Sequence, residues 1–507
     1  MLGLATRNTN KLVREKSKSE NVRLGRFFTK KNTARLMAEM IELSPDKTSF
    51  TVLDPGAGTG ILSAAVIERI CTTMPNCRDI FLTCYEDDPV FFPLLADNLE
   101  RIRKKCRHDY NVRLYVTLYE ENYLIDVKNH YTVSFLGTVE DKFDIIICSP
   151  PTHLIEKDSE EAEAVGGVTL VKTSAAYLFL KVAAAHLEKN GQLVIMLPTT
   201  MASAASLSPL RRELASVLSI DAIHLFVGRQ KNTKRAIPLK KSMIITYRNA
   251  DTCDKIKIST SVDDGAPENV QHLPELPYSF VVDASDGTLT LPKSVEETKI
   301  AAYIGAFPET LTSLGLKMST GLIIDSKCQD LLYDTEEAGT IPIIRPTSIS
   351  NGGIRLPAPN TKKQYLMPTV PALFQRNKNM IIIKRVPAKS DERFLNCAIY
   401  FAGQRPTNQY ISTHNKINFI DTKNPKDEMS ARFAFGLFAI LNSTIYDRYI
   451  SLVSKSKQIN SKEMKELRLP PKHVIENIGF RLMQKKSTSV LACDSIVNPT
   501  FHIGRRE

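Results

Sequence analysis

Residues 51–70 read TVLDPGAGTGILSAAVIERI. An apolar strand runs to Asp54, glycines follow at 56, 58 and 60, and an uninterrupted helical stretch opens at Ile61. Glycine lets a backbone come close to a ligand, and the start of a helix is electropositive. The segment therefore reads as a ligand-binding strand–turn–helix. It is not G-x-G-x-x-G, and it lacks the Lys-Ser/Thr pair of a phosphate loop, which argues against a dinucleotide or ATP. Asp54, at the strand edge, is expected to hold a cationic or amine-bearing ligand. The next strand ends at Tyr85, and Glu86 follows. A carboxylate in that place can take both hydroxyls of a ribose. Asp87 and Asp88 compete for this role or simply open the next helix.

The same alternation continues from residue 49 to 250. Apolar strands are predicted at Ser49–Leu53, Ile80–Tyr85, Val112–Leu118, Phe143–Cys148, Gln192–Leu197, Asp221–Val227 and Ser242–Tyr247. Helical patterns are predicted at Ile61–Ile70, Pro89–Lys104, Thr173–Leu187 and Leu207–Leu218. Strands alternating with helices imply an α/β fold with a mostly parallel sheet covered on both faces. Between the last two strands lies only the basic loop GRQKNTKRAIPLKK, so a closing antiparallel hairpin is expected. Residues 1–24 read as a basic, mobile arm, 25–250 as the α/β domain and 251–300 as a connector with short strands. In 301–507 irregular strands and Pro/Asn/Gly turns precede a helix at Ala431–Asn442, as in an α+β domain.

With 507 residues, more than one core is expected. No apolar run approaches the ~20 residues that cross a bilayer, and the N-terminus lacks the apolar core of a secretion signal. The nine cysteines are scattered singly, without a CxxC pair, so neither disulfides nor a metal site is expected. Small buried thiols of that kind suit a reducing cytoplasm. A net charge of +12 suits a polyanionic partner.

A second motif lies at Asp144 to Leu154, DIIICSPPTHL. Four apolar residues run into Ser149 and two prolines. Proline cannot donate to a sheet ladder, and it pushes its predecessor to extended geometry. The strand therefore stops at Cys148. Ser149 and the Pro150 carbonyl are held at its C-terminal edge, where open α/β sheets bind ligands.

The glycine turn, with Asp54 before it and Glu86 one strand later, resembles the S-adenosylmethionine site of class I methyltransferases. Ser149, Pro150, Pro151 and Thr152 resemble the catalytic motif of DNA amino-methyltransferases, small polar–Pro–Pro–aromatic. Thr152 departs from it, because the family usually has a stacking ring there. His153, Tyr177 or a residue of the 228–241 loop is the expected substitute. GRFFTKKNTARLMAEMIEL (25–43) resembles the family's cofactor-lid motif, which implies that Phe28 and Thr29 lie near the cofactor. Asn122 stands where the family often has an acidic residue for the cofactor's adenine.

TGLIIDSK, IPIIRPTSISNGGIRLP, NMIIIKRVPAKSDERFLNCAIY, HNKINFID and FGLFAILNSTIYDRYISLVSKSKQINSKEMKELRLPP follow in that order. They resemble the C-terminal recognition domain of the BsuBI/PstI-type adenine methyltransferases of restriction–modification systems. The resemblance covers 25 to about 480. It implies a Rossmann-like catalytic domain, S-adenosylmethionine as cofactor and methylation of the adenine N6 amine in duplex DNA. It also implies a bacterial cytoplasmic monomer and a separate endonuclease acting on the same site. Lys384, Arg385, Lys389, Arg393, Lys455, Lys457 and Gln458 are the expected DNA contacts, since Arg and Lys anchor phosphates and Gln reads base edges. The alternatives are methylation of the cytosine amine, which Ser149 favours, a decayed DNA-binding homologue, which Thr152 favours, and a methyltransferase acting on RNA or protein.

Overall fold

The computed structural model describes residues 1–15, 29–130, 141–156, 159–164, 173–228, 241–386, 393–454, 458–459 and 464–501. The chain divides into two compact units, Met1–Val295 and Glu296–Glu507.

In the first unit the principal elements are α1 (Leu2–Glu15), α2 (Lys31–Glu39), β1 (Ser49–Asp54), α3 (Ile61–Thr73), β2 (Asp79–Tyr85), α4 (Phe92–Tyr110), β3 (Arg113–Tyr119), α5 (Tyr123–His130), β4 (Phe143–Cys148), α6 (Ala175–Ala185), β5 (Leu187–Pro198), α7 (Ser208–Ala215), β6 (Ser219–Phe226), β7 (Ser242–Arg248), β8 (Lys255–Ser261) and β9 (Val270–His272). The strands lie in the order β9-β8-β6-β7-β5-β4-β1-β2-β3. From β3 to β5 every pairing is parallel. β7 runs antiparallel to both β5 and β6, which is the closing hairpin expected from the sequence. Ile145, Ile146, Ile147 and Cys148 of β4 are all buried, as they must be in a strand covered on both faces.

The strand order places the site. Counting outward from the centre, β1, β2 and β3 build one way, and β4 and β5 the other. β1 and β4 are direct neighbours, with Leu53 opposite Ile146. At such a switch of direction the two following loops diverge and leave a crevice at the C-terminal edge. The glycine turn leaves β1 at that edge, and the Ser-Pro-Pro stretch leaves β4 beside it.

Two expectations need correction here. Residues 2–15 are not a mobile arm but a docked helix. Met1, Leu2, Ala5 and Thr9 are buried along one stripe, while Arg7 and Lys11 face solvent. The basic composition hid the i, i+4 spacing of the small apolar residues. Residues 251–300 are also more than a connector. β8 pairs in parallel with β6 and carries the sheet two strands further, with β9 antiparallel at its edge.

The second unit is α+β, as expected. Leu316–Thr320, Ile417–Thr422, Met380–Lys384 and Cys397–Tyr400 lie side by side, all antiparallel, in a six-stranded sheet. Helices Ala431–Asn442 and Thr444–Val453 start at Ser430 and Ser443, whose side chains accept the N–H groups of Phe433 and Tyr446. Ala431–Asn442 crosses Lys472–Lys485 backbone against backbone. A Cβ on Gly436 would lie 1.9 Å from the Ile475 carbonyl oxygen, so only glycine fits.

Candidate active site

The turn after β1 is shaped by two left-handed glycines, Gly58 at φ 56° and Gly60 at φ 81°. Ala57 N–H donates to the Tyr85 carbonyl at 2.9 Å, tying the turn to the end of β2. A Cβ on Gly58 would meet nothing within 4 Å, so this face of the turn is open to a ligand. Gly60 is different. A Cβ there would stand 2.9 Å from Leu95 Cδ1, so its smallness serves helix packing. Glu86 is clamped from both sides. Its Oε2 accepts Gly58 N–H at 2.7 Å, and its Oε1 accepts Asp88 N–H at 2.8 Å. Asp88 is turned to the chain, accepting Val90 N–H, whereas Asp87 is exposed.

One cavity of about 510 Å³ joins the two motifs. Its walls include Gly56, Gly58, Glu86 and Asn122 on one side and Ser149, Pro150 and Pro151 on the other. That volume is within the range of ligand sites. Ser149 is half-buried in the wall of this cavity, at the C-terminal edge of β4. His153, Tyr85, Phe91, Tyr123 and Phe179 supply the aromatic and imidazole surface. Of these rings, only His153 was singled out from sequence. Phe179 lies on α6, where a helical apolar stripe reads as ordinary core, and no local signal separates a wall residue from a core residue.

Several expected site residues stand elsewhere. Asp54 is fully buried under the turn, does not line the cavity and accepts the Ser63 hydroxyl at 2.6 Å. Burial raises its pKa to about 6, against the opposing pull of the Ser63 hydroxyl and of the Ser63 and Gly56 N–H groups. It therefore supports the turn from below and stands outside the cavity wall, where a cationic ligand was expected to meet it. Asn122 does line the cavity, but its Oδ1 caps α5 by accepting Leu124 N–H at 3.0 Å, and its Nδ2 donates to Asp87 at 3.2 Å. Thr152 and Tyr177 are not in the wall. Tyr177 is buried with its hydroxyl 2.7 Å from Thr200 Oγ1, so it supplies no stacking ring. Thr29 is half-buried before α2 and likewise outside the wall. Phe28 and residues 229–240 lie outside the described residues.

In the second unit Lys384 ends the strand Met380–Lys384, and Arg385 follows it. Arg385 N–H donates to the Lys416 carbonyl, and the Arg385 carbonyl accepts Ile459 N–H at 2.9 Å, which brings exposed Gln458 alongside. Exposed Lys416 joins this cluster and was not singled out from sequence. Arg393 does not join it. Its guanidinium donates to the carbonyls of Asn442 at 2.9 Å and Ser443 at 3.3 Å, closing the end of helix Ala431–Asn442. Lys389, Lys455 and Lys457 lie outside the described residues.

A mostly parallel sheet with the antiparallel β7 inserted between β5 and β6, a glycine turn after β1 and an acidic residue after β2 define the class I methyltransferase fold. Residues 10–260 match the family model described as N-6 DNA Methylase. The type II methyltransferase M.PstI of Providencia stuartii is 24% identical over 468 residues, 90% of this chain and 89% of its own. M.BsuBI of Bacillus subtilis is 24% identical over 471 residues, 92% and 90% of the two chains. Among solved structures, the type IIL restriction-modification enzyme MmeI in complex with DNA aligns at 11% identity and a TM-score of 0.41, over 100% of this chain and 74% of that one. Residues 10–260 are thus similar to an N-6 DNA methylase domain, and together the matches support an adenine-specific DNA methyltransferase of the type II restriction–modification kind. No described helix is long and apolar enough to cross a membrane.

Proposed function

We propose that the cavity between the glycine turn and the Ser149–Pro150 edge is where S-adenosylmethionine meets an adenine flipped out of duplex DNA. The observation that carries this reading is that both motifs open into one space. The residues present fit the cofactor. Gly58 leaves room for a close approach, and Glu86 offers a fixed carboxylate for ribose hydroxyls. When bound, the cofactor supplies an electrophilic methyl group on a sulfonium.

The chain's own work is positioning. The target amine is hidden in the base stack, so the base must leave the duplex. Its nitrogen lone pair is delocalised into the ring and is a weak nucleophile. The Ser149 hydroxyl and the Pro150 carbonyl accept the two amine hydrogens, which returns electron density to nitrogen and aims it into the cavity. The proline pair keeps these acceptors from moving during the reaction. No covalent enzyme intermediate is needed. Lys384, Arg385 and Gln458 contact the DNA, and the modification protects the site from a separate endonuclease. The protein acts as a monomer in the bacterial cytoplasm.

The test is transfer of labelled methyl from S-adenosylmethionine to unmethylated duplex DNA, followed by nucleoside analysis. The expected product is N6-methyladenine, lost in Ser149→Ala while cofactor binding persists. A Ser149→Ala enzyme with undiminished transfer would remove the role given to this edge.

A further inference from the structure

The middle of helix α1 rests against the glycine turn itself. Thr9 Oγ1 lies 2.6 Å from Thr59 Oγ1, and both side chains are buried. The neighbouring Asn8 donates from Nδ2 to Asn98 Oδ1 at 2.6 Å, and Asn98, fully buried on α4, donates from its own Nδ2 to the Thr59 carbonyl at 2.9 Å. Thr59 is thus held by its hydroxyl from one helix and by its carbonyl from another. It sits between Gly58 and Gly60, the two left-handed residues whose freedom would otherwise let the turn flex. Gly58 N–H is the group that donates to Glu86. The Thr59–Gly60 peptide, held by Asn98, donates Gly60 N–H to the Ala57 carbonyl at 2.8 Å, and that carbonyl shares its peptide with the Gly58 N–H aimed at Glu86.

We infer that α1 is a built-in strut of the cofactor turn, with Thr9, Asn8 and Asn98 as positioning residues for S-adenosylmethionine. The inference rests on the cofactor reading proposed above. The reason is energetic. A turn carrying three glycines loses more backbone entropy on ordering than one built from other residues. If the free protein leaves it loose, each binding event must bear that cost. Hydrogen bonds made beforehand by α1 and α4 shift the cost to folding, so the ligand meets a formed site.

The experiment uses the full chain and compares wild type with Thr9→Val, Thr9→Ser and Asn8→Ala. Thr9→Val keeps the shape but leaves the buried Thr59 hydroxyl without its partner. The dissociation constant for S-adenosylmethionine is expected to rise about three- to tenfold, the effect of one net hydrogen bond. The turnover at saturating cofactor and the affinity for duplex DNA are expected to stay as in wild type, and Thr9→Ser to restore cofactor binding. Asn8→Ala, on the partly exposed side of α1, is expected to move in the same direction by less, and it serves if Thr9→Val fails to fold. A merely structural α1 would lower the folded fraction and leave the cofactor affinity of the folded molecules unchanged, which would overturn the inference. Wild-type protein that binds no S-adenosylmethionine would instead overturn the cofactor reading, and the strut with it.

Discussion

Glu86 accepts the backbone N–H of Gly58 at 2.7 Å, so the residue after β2 holds the turn after β1. The same carboxylate accepts Asp88 N–H through its other oxygen. A carboxylate can satisfy both donors, whereas an amide has one acceptor oxygen and two hydrogens. Glu86→Gln therefore leaves one buried N–H facing an NH₂ group. The expected cost is ~1–3 kcal/mol of stability, with at least tenfold weaker binding of S-adenosylmethionine. Urea denaturation and calorimetric titration read the two effects. Unchanged cofactor affinity would mean that Glu86 serves the fold alone.

Asp54 should make the protein's stability depend on pH in an unusual direction for a carboxylate. Burial raises its pKa in the folded chain from 3.8 to about 6. Its favourable contribution is complete below the unfolded value and disappears as pH rises through about 6. Asp54→Asn keeps the size and removes the buried charge. The variant is expected to be more stable than wild type above pH 6, by up to roughly 3 kcal/mol, with the gap closing as pH falls towards 4. Unfolding midpoints of both proteins across that range decide it. A gap that does not change with pH would show that Asp54 is not titrating there.

Two histidines act in the opposite sense. Burial depresses His186 and His224 to about 4. His224 sits between the hydroxyls of Ser259 and Ser261, at 2.8 and 3.0 Å. Groups with lowered pKa contribute stability above their unfolded value of about 6.5, and that stability is lost as pH falls through the folded value. The midpoint of wild type is expected to drop between pH 6.5 and 4, and His224→Gln to drop less over the same interval. Equal slopes for the two proteins would refute the assignment.

The basic residues of the second unit should separate by experiment. Lys384→Ala and Arg385→Ala are expected to weaken duplex binding similarly for all sequences and to reduce the salt dependence by about one counterion each. Arg393→Ala should leave that slope alone. Its guanidinium holds carbonyls at the end of helix Ala431–Asn442, so its loss costs ~1.5–3 kcal/mol of stability. An Arg393→Ala protein with normal stability and a flatter salt dependence would return this residue to the DNA surface.

Much of the first unit was legible because its signals are local. β4 has the limits predicted for it, Phe143 to Cys148, and Pro150 marks its end chemically. β1, β2 and β7 fall within a residue of their predicted limits for the same reason. The direction of β7 followed from the missing helix before it, since a parallel return needs a long crossover. That Ser149, Gly58 and Glu86 line one cavity was legible because strand ends in an open α/β sheet point at one edge.

Other roles depend on neighbours that sequence does not name. Asp54 and Glu86 are both carboxylates just at or after a strand. One is buried beneath the turn with Ser63 and the other lines the cavity, and only the path of α3 over β1 separates them. Arg393 reads as a phosphate ligand until the end of a helix some fifty residues later is set against it. The α1 stripe of Leu2, Ala5 and Thr9 is short and interrupted by charge, so its docking was decided by a surface on α3 and α4 that exists only in the folded chain. By itself the sequence determined where strands and helices begin, because periodicity and turn chemistry act over a few residues. The tertiary structure decided which polar groups face the ligand and which hold the fold, because burial and hydrogen-bond partners come from residues distant along the chain.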